Sequence, residues 1–325
     1  MTQLADDTRP VPAPSRTIGG GILFAVISAM AFGLSGSLAR GLFDTGWSPG
    51  AIVLARIGLA TLVLAPFTVA SLRGRWRQVR VQAGQILMYG VLAVAGAQFG
   101  YFSAVATMDV APALLIEYTA PAAVVAWMWI RHGQRPGRRT VAGAVLAAAG
   151  LVLVLNLVSG VHLAWAGVAW ALVAMIGATA YFVISADTSG DLPPLALAGT
   201  GLLIGSLSLA VLGLIGVLPM HASTHPATYA VGTAPWYLPL LVLGVVTAAL
   251  AYTTGIAAGR RLGSRVASFV ALLEVVAAIV FAWILVDQRP GPAQLAGGLL
   301  IIGGVVVVKL ADAQTSAPHR SISSA

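Results

Sequence analysis

The feature that most constrains this chain is a succession of long apolar runs separated by short polar breaks. Of its 325 residues, 58% are hydrophobic and only 9% are charged, whereas a soluble domain averages about 25% charged residues. A run of about 20 apolar residues has the length of a membrane-spanning helix. The sequence therefore predicts an all-α polytopic membrane protein with ten transmembrane helices. The predicted spans, numbered one to ten, are Ile18–Leu38, Gly50–Ser71, Gly84–Thr107, Val110–Ile130, Thr140–Val158, Ala166–Ala186, Pro193–Leu218, Trp236–Ala258, Ser264–Val286 and Ala293–Leu310.

The chain also carries an internal duplication. Gln-Arg-Pro-Gly occurs at Gln134–Gly137 and again at Gln288–Gly291, 154 residues later, and the flanking Trp-Ile pairs and glycines repeat at the same offset. Because each half holds an odd number of spans, the second half must cross the membrane in the opposite direction. Inverted repeats are typical of secondary transporters, with a site near the midplane between the halves. The tetrapeptide itself is interpreted as a helix-connecting turn.

The repeat and the arginines together predict the domain boundaries and the orientation. With the N-terminus inside the cell, 15 Lys and Arg residues fall in cytoplasmic segments, and only Arg40 and Arg289 fall outside, as the positive-inside rule expects. We therefore expect a protein of the cell membrane with both termini cytoplasmic. The predicted units are a cytoplasmic segment at 1–17, a first five-helix repeat at 18–158, a second five-helix repeat at 164–311 and a disordered cytoplasmic tail at 312–325.

Three ionisable side chains lie well inside predicted spans, namely Arg56, Glu117 and Glu274. Insertion of such a charge costs at least ~2.5 kcal/mol at the bilayer centre, so it is expected to face a cavity or a partner. Arg56 and Glu117 lie roughly 9–10 Å from the outer ends of their spans at the helical rise. They are predicted to form an ion pair or to share an anionic or zwitterionic ligand, and a purely structural pair is the alternative. Glu274, near the midplane, is expected to meet substrate, carry a coupling proton or bond to a neighbour.

Four further residues near these charges are candidates for the same site. Gln98, Tyr101 and Tyr118 are polar groups deep within spans, whereas Tyr181 and Tyr252 were set aside because tyrosines near helix ends are typical interface anchors. Pro121 follows Glu117 by one turn and frees a backbone carbonyl. We leave open whether the resulting kink is a hinge or a static bend.

Several other chemistries are excluded by missing residues. The chain has no cysteine, no Gly-rich loop ending in Gly-Lys-Ser/Thr and no third ligand beside His221 and His225, so no cofactor or metal is predicted. Gly33-Leu34-Ser35-Gly36 matches an intramembrane protease signature, but no histidine lies within a span to activate the serine. No continuous basic face indicates nucleic acid. The predicted partners are a small-molecule substrate and the lipid bilayer, and a coupled proton and a homodimer are left open.

The chain resembles the EamA family of the drug/metabolite transporter superfamily in two copies, from about Gly20 to Leu310, and two motifs carry the resemblance. Leu272-Leu273-Glu274 is similar to the family's Leu-Leu-Glu-Pro element, although Val275 stands where its proline is usual. Ile116–Pro121 is similar to the Glu-Tyr/Phe-x-x-Pro segment of the threonine/homoserine exporter branch. The resemblance implies a transporter, not an enzyme, that exports a small metabolite such as an amino acid by alternating access.

Two alternatives to export remain open at the level of the sequence. One is an importer with the same fold, and the other is a non-transporting membrane scaffold or an intramembrane enzyme. Under the export hypothesis, the expected substrate-binding residues are Arg56, Gln98, Tyr101, Glu117, Tyr118, Pro121 and Glu274.

Overall fold

The computed structural model describes residues 16–120, 123, 129–130, 133, 137–154, 164–186, 192–255, 257–258, 261 and 273–315, and these are mostly helical. Within this part, five helices are long and apolar enough to cross a membrane: Gly20–Phe43, Pro49–Leu72, Ala83–Thr107, Leu195–Leu214 and Tyr237–Gly255. Shorter apolar helices occupy predicted spans five, six, nine and ten. The structure therefore supports a multi-pass membrane protein, and the count of ten spans stays a prediction.

The helices keep the numbers of the predicted spans on which they lie. In chain order the helical elements are Arg16–Gly33, Ser35–Phe43, Pro49–Leu72, Trp76–Val81, Ala83–Met88, a first π-helix at Tyr89–Gly96, Ala97–Thr107, Val110–Glu117, Arg138–Val154, Trp165–Ala186, Pro194–Leu214, Tyr237–Gly244, a second π-helix at Val245–Leu250, Leu273–Val286 and Pro292–Thr315.

Some boundaries differ from the prediction for local reasons. Span one continues beyond Leu38 to Phe43, with a break at Leu34. The last helix continues to Thr315, across the predicted start of a disordered tail at 312, because residues 311–315 contain no Gly or Pro to stop it. The helix of span four ends at Glu117, and most of 121–136 lies outside the described residues.

Two helix starts are fixed by polar caps. Pro49 opens span two, and the side chain of Ser48 accepts a hydrogen bond from the Ala51 amide, a combination favoured at helix N-termini. Span four starts directly after Met108-Asp109, so spans three and four form a tight hairpin. The side chain of Gln288, from the loop after span nine, accepts a 3.0 Å hydrogen bond from the Val110 amide. This bond ties the second half to the first.

The loop between spans seven and eight contains a β-hairpin that the sequence analysis did not predict. Strands Ala227–Tyr229 and Gly232–Ala234 pair antiparallel. The Tyr229 hydroxyl donates to the Leu38 carbonyl at 2.8 Å, and the Ala230 amide donates to the Leu285 carbonyl at 2.7 Å. The hairpin therefore joins span one to span nine at one end of the molecule.

The packing of the helices has the symmetry of an inverted repeat. Span five packs on span ten, span two on span seven, span six on spans three and four, and span one on spans eight and nine. This set of contacts is unchanged when each span is exchanged with its counterpart five spans away. Close approach is visible where spans five and ten meet, because a Cβ added at Gly150 would lie 2.5 Å from the Gly297 carbonyl oxygen.

The two π-helices occupy equivalent places in the two repeats. The first ends at Gly96 in span three and the second at Leu250 in span eight, and the interval between these residues is the repeat offset of 154. Gly90 in span three and Gly244 in span eight also play equivalent roles, since each lets a side chain of the other half approach, Ile204 and Leu59 respectively. Single-turn π segments are frequent at functional sites.

Candidate functional site

Five of the seven predicted site residues line one cavity between the repeats. They are Arg56, Gln98, Tyr101, Glu117 and Glu274, and Phe32, Ser35, Ala97 and Leu114 complete the lining. Tyr118 contacts the cavity through Glu274. Pro121 lies outside the described residues.

Arg56 is held by groups from both repeats. Its side chain is only 1% exposed and belongs to the helix Pro49–Leu72 of span two, two turns from its start. The Nη1 group donates to Gln98 Oε1 on span three, and the Nη2 group donates to the Thr247 carbonyl in the second π-helix at 2.8 Å. The guanidinium carbon lies 5.1 Å from the centroid of the Phe102 ring, within the range of a cation–π contact. Arg56 Nε is buried without a hydrogen-bond partner among the described residues.

Arg56 does not form the direct ion pair with Glu117 that the sequence analysis offered as one alternative. In the described part of the chain its terminal nitrogens bond to Gln98 and to the Thr247 carbonyl instead. Glu117, Glu274 and Arg56 nevertheless line the same cavity. The other alternative, a ligand shared between Arg56 and Glu117, stays a prediction.

Glu274 is anchored across the interface between the repeats. The Tyr118 hydroxyl donates to Glu274 Oε2 at 2.7 Å and joins span four to span nine. Span one packs closely beside Glu274, because a Cβ at Gly33 would lie 2.8 Å from its carbonyl oxygen. The Gly33-Leu34-Ser35-Gly36 segment thus serves as a small-residue contact between helices.

Tyr101 is fixed by a second glycine of the same segment. A Cβ at Gly36 would lie 2.3 Å from the Tyr101 hydroxyl oxygen and 2.6 Å from Val110 Cγ1. The tyrosine is 6% exposed, so its ring fills the space that a larger residue at position 36 would need. Gly36 therefore allows the Tyr101 hydroxyl to reach the cavity wall.

Two groups of the site were not predicted from the sequence. The Thr247 carbonyl belongs to a π-helix without a local sequence signal, and Tyr252 was set aside as an interface anchor. Tyr252 is 7% exposed, accepts a 3.4 Å hydrogen bond from Gln98 Nε2 and packs edge-on against Phe32. The repeat offset was a usable signal for Tyr252, because it follows Gln98 by 154 residues.

The cavity is small in this conformation. Its volume of about 30 Å³ is enough for one or two water molecules, each of which needs roughly 10–15 Å³. Ligand pockets commonly measure about 300–1,000 Å³, so this cavity is about a tenth of the size of a small ligand pocket. Among the described residues, no cluster of three or more His, Cys, Asp or Glu side chains is placed to bind a metal.

Comparison with known proteins agrees with this architecture. The model of the EamA-like transporter family matches residues 19–156 and again residues 165–310. A solved chain described as "Crystal structure of protein" is 20% identical, with a TM-score of 0.59, over 94% of this chain and 100% of that chain; this likeness concerns the fold alone. No curated protein matches the chain.

The two family matches fall on the two halves that the packing relates by symmetry, and together they cover most of the chain. Apolar helices long enough to cross a membrane and two copies of one transporter unit agree with a membrane transport protein of the drug/metabolite transporter superfamily. The chain therefore belongs to the EamA-like transporter family.

Proposed function

We propose that the protein is a secondary transporter that exports a small metabolite, such as an amino acid, across the cell membrane by alternating access. The observation that carries this proposal is the cavity in which Arg56, Glu117 and Glu274 face one another between the repeats. Intramembrane ionisable residues of this kind mark substrate and ion pathways. A scaffold has no need of a buried arginine and two acidic side chains in one cavity.

The charges in the cavity fit a ligand with groups of both signs. Arg56 has one buried nitrogen, Nε, without a partner among the described residues, and a guanidinium only donates hydrogen bonds. It therefore suits a carboxylate. Glu117 and Glu274 supply acceptors that suit an ammonium group. An α-amino acid carries these two groups one carbon apart, which matches a compact cavity better than an extended molecule.

The remaining predicted residues receive roles in the same scheme. Gln98 and Tyr101 would complete the polar wall, Tyr118 would orient Glu274, and Pro121 would allow span four to bend. Glu274 is the candidate carrier of a coupled proton. The similarity of Ile116–Pro121 to the threonine/homoserine exporter branch supports L-threonine as the first substrate to test.

The proposed arrangement in the membrane follows from the arginine distribution. Ten spans form two inverted repeats at 18–158 and 164–311, and the segments 1–17 and 312–325 are cytoplasmic. Five loops, those after spans one, three, five, seven and nine, would then lie outside. Contacts between them support this assignment, because Ser48 bonds to His221 and Gln288 bonds to Val110.

Overexpression on a panel of amino acids and toxic analogues tests the proposal. We expect resistance to at least one compound, abolished by Glu117→Gln at unchanged membrane abundance. Asp109→Asn is the matched control, since Asp109 is an exposed carboxylate in the loop before span four, and it should keep the resistance. Increased sensitivity in place of resistance would indicate import. No effect on any compound, together with no uptake into proteoliposomes, would overturn the transporter proposal.

A further inference from the structure

Gln98 and Tyr252 form a contact between equivalent positions of the two repeats. They are 154 residues apart, and the Gln98 Nε2 group donates to the Tyr252 hydroxyl at 3.4 Å. Each is the second residue after a π-helix, since the π-helices end at Gly96 and Leu250 and are followed by Ala97 and Ala251. The contact therefore lies where the two halves meet on the symmetry axis.

In both hydrogen bonds of the Gln98 amide, chemistry determines which group donates and which accepts. A guanidinium has no acceptor, so Gln98 must present its carbonyl oxygen Oε1 to Arg56. The amide then has only its NH₂ group for Tyr252, and the tyrosine hydroxyl accepts. Arg56 thus determines which way the Gln98 amide points, and the Tyr252 hydroxyl holds the NH₂ end of that amide in place.

A second group of the same span holds the other end of the guanidinium. The Thr247 carbonyl in the second π-helix accepts from Nη2 at 2.8 Å, and a carbonyl oxygen has two lone pairs with which to accept. Nη1 and Nη2 each donate a hydrogen bond, so Nε is the guanidinium nitrogen that has no hydrogen-bond partner among the described residues. Span eight, in the second repeat, therefore orients an arginine that belongs to the first repeat.

The symmetry of the fold is broken at the arginine. Spans two and seven meet at Thr61 and Ser206, which are 145 residues apart and 3.3 Å from each other. By the same offset, Gly201 is the counterpart of Arg56. A Cβ at Gly201 would lie 2.4 Å from the Tyr89 ring. The Tyr89 side chain therefore fills the space that a side chain at position 201 would need. The Gln98–Tyr252 contact consequently orients Arg56 alone, because its counterpart in the second repeat is a glycine.

We infer that Tyr252 is a positioning residue of the cavity, which fixes the guanidinium of Arg56 through Gln98 so that Nε is left for the substrate. This inference rests on the proposed function. A loss of the Tyr252 hydroxyl removes one of the two hydrogen bonds that hold the Gln98 amide, so Gln98 holds the Nη1 group of Arg56 less firmly. The substrate would bind less tightly while the movement of the helices stays unchanged.

Uptake of radiolabelled L-threonine into proteoliposomes containing the full chain tests this inference. We expect Tyr252→Phe to raise KM roughly fivefold, the size of one hydrogen bond, with kcat within roughly twofold of the wild type. In a Gln98→Ala background the same change should raise KM no further. Tyr237→Phe is the matched control, because Tyr237 lies on the same span and is 51% exposed, and it should leave KM unchanged.

A second measurement, thermal unfolding in detergent, separates this inference from the proposed function. If Gln98 and Tyr252 share a bond, the melting temperature of the variant with both Gln98→Ala and Tyr252→Phe should be no lower than that of Gln98→Ala alone. Additive losses, or an unchanged KM in an active Tyr252→Phe protein, overturn the inference and leave the transporter proposal intact. A wild type that does not transport L-threonine counts against that substrate, and the unfolding data then decide whether the contact exists.

Discussion

Tyr118 donates a 2.7 Å hydrogen bond to Glu274 and joins two counterpart helices, span four of the first repeat and span nine of the second. The bond crosses the boundary along which the repeats would move during alternating access. It therefore has to break, lengthen or move as a unit when the cavity opens. Its contribution to the closed conformation can be measured directly.

Replacement of Tyr118 by Phe removes the hydroxyl that makes this bond and keeps the ring. We expect a loss of roughly 1–3 kcal/mol in the free energy of unfolding, because Glu274 keeps its place but loses a donor. Unfolding of the purified protein in detergent measures the difference. The exposed Tyr237→Phe change is the control. Equal stability of the two variants would contradict a role for this bond in the closed conformation.

Gly150→Ala tests the interface of spans five and ten. An added methyl would lie 2.5 Å from the Gly297 carbonyl oxygen and 2.8 Å from Ile301 Cγ1, and overpacking of this kind costs roughly 1–3 kcal/mol. Gly58→Ala is the matched control, because no atom lies within 4 Å of its added Cβ. We expect this control to be neutral or to stabilise by up to about 1 kcal/mol through helix propensity. A neutral Gly150→Ala would mean that the two helices do not approach so closely.

The hairpin outside the membrane gives a prediction about alkaline pH. Burial, with a contribution from Asp44, raises the pKa of Tyr229 above its usual value. The unfolded chain therefore loses this phenolic proton near pH ~10, while the folded chain keeps it, and stability falls as the pH rises further. In Tyr229→Phe this dependence is absent.

Unfolding midpoints of wild type and Tyr229→Phe between pH 8 and 12 check this expectation. The variant lacks the bond to the Leu38 carbonyl and should be less stable at pH 8. The gap should narrow above pH ~10, since only the wild type has the tyrosine to titrate. A gap that stays constant across the range would show that the hairpin does not bury Tyr229 in the membrane-embedded protein.

The absence of cysteine makes the predicted orientation easy to test. Thr224 and Gly137 are both exposed in loops, the first after span seven and the second after span four. We expect a membrane-impermeant maleimide to label Thr224→Cys in intact cells and Gly137→Cys only after permeabilisation. The reverse pattern would place both termini outside, and labelling of both in intact cells would contradict the inverted topology.

The sequence predicted the helices better than it predicted their faces. Apolar runs locate the helices, because the bilayer imposes a length on each of them, and five of the runs carry helices long enough to cross a membrane. The depth of a residue within a span does not indicate in which direction its side chain points around the helix axis. For this reason similar depth left a direct pair of Arg56 and Glu117 as one of two alternatives, whereas Arg56 turns to Gln98 and to the Thr247 carbonyl.

Other features lack a local signal. The π-helices consist of Ala, Val, Leu and Gly apart from Tyr89 and Thr247, and these sequences fit an α-helix equally well, so they carry no local signal for a π-helix. The hairpin strands are three residues long, too short for an alternating pattern to be read. Tyr252 lies near enough to the end of its span to be taken for an interface anchor, and its partner is 154 residues away.

The paired π-helices also bear on the history of the chain. A π-turn holds one residue more than an α-turn and so corresponds to a single-residue insertion into a helix. Because the two end at Gly96 and Leu250, at one repeat offset from each other, a single insertion before the gene duplicated accounts for both. The π-turn is then older than the duplication that produced the two repeats. In a half-length ancestor paired with an inverted copy of itself, the positions of Gln98 and Tyr252 would be one residue that meets its own copy.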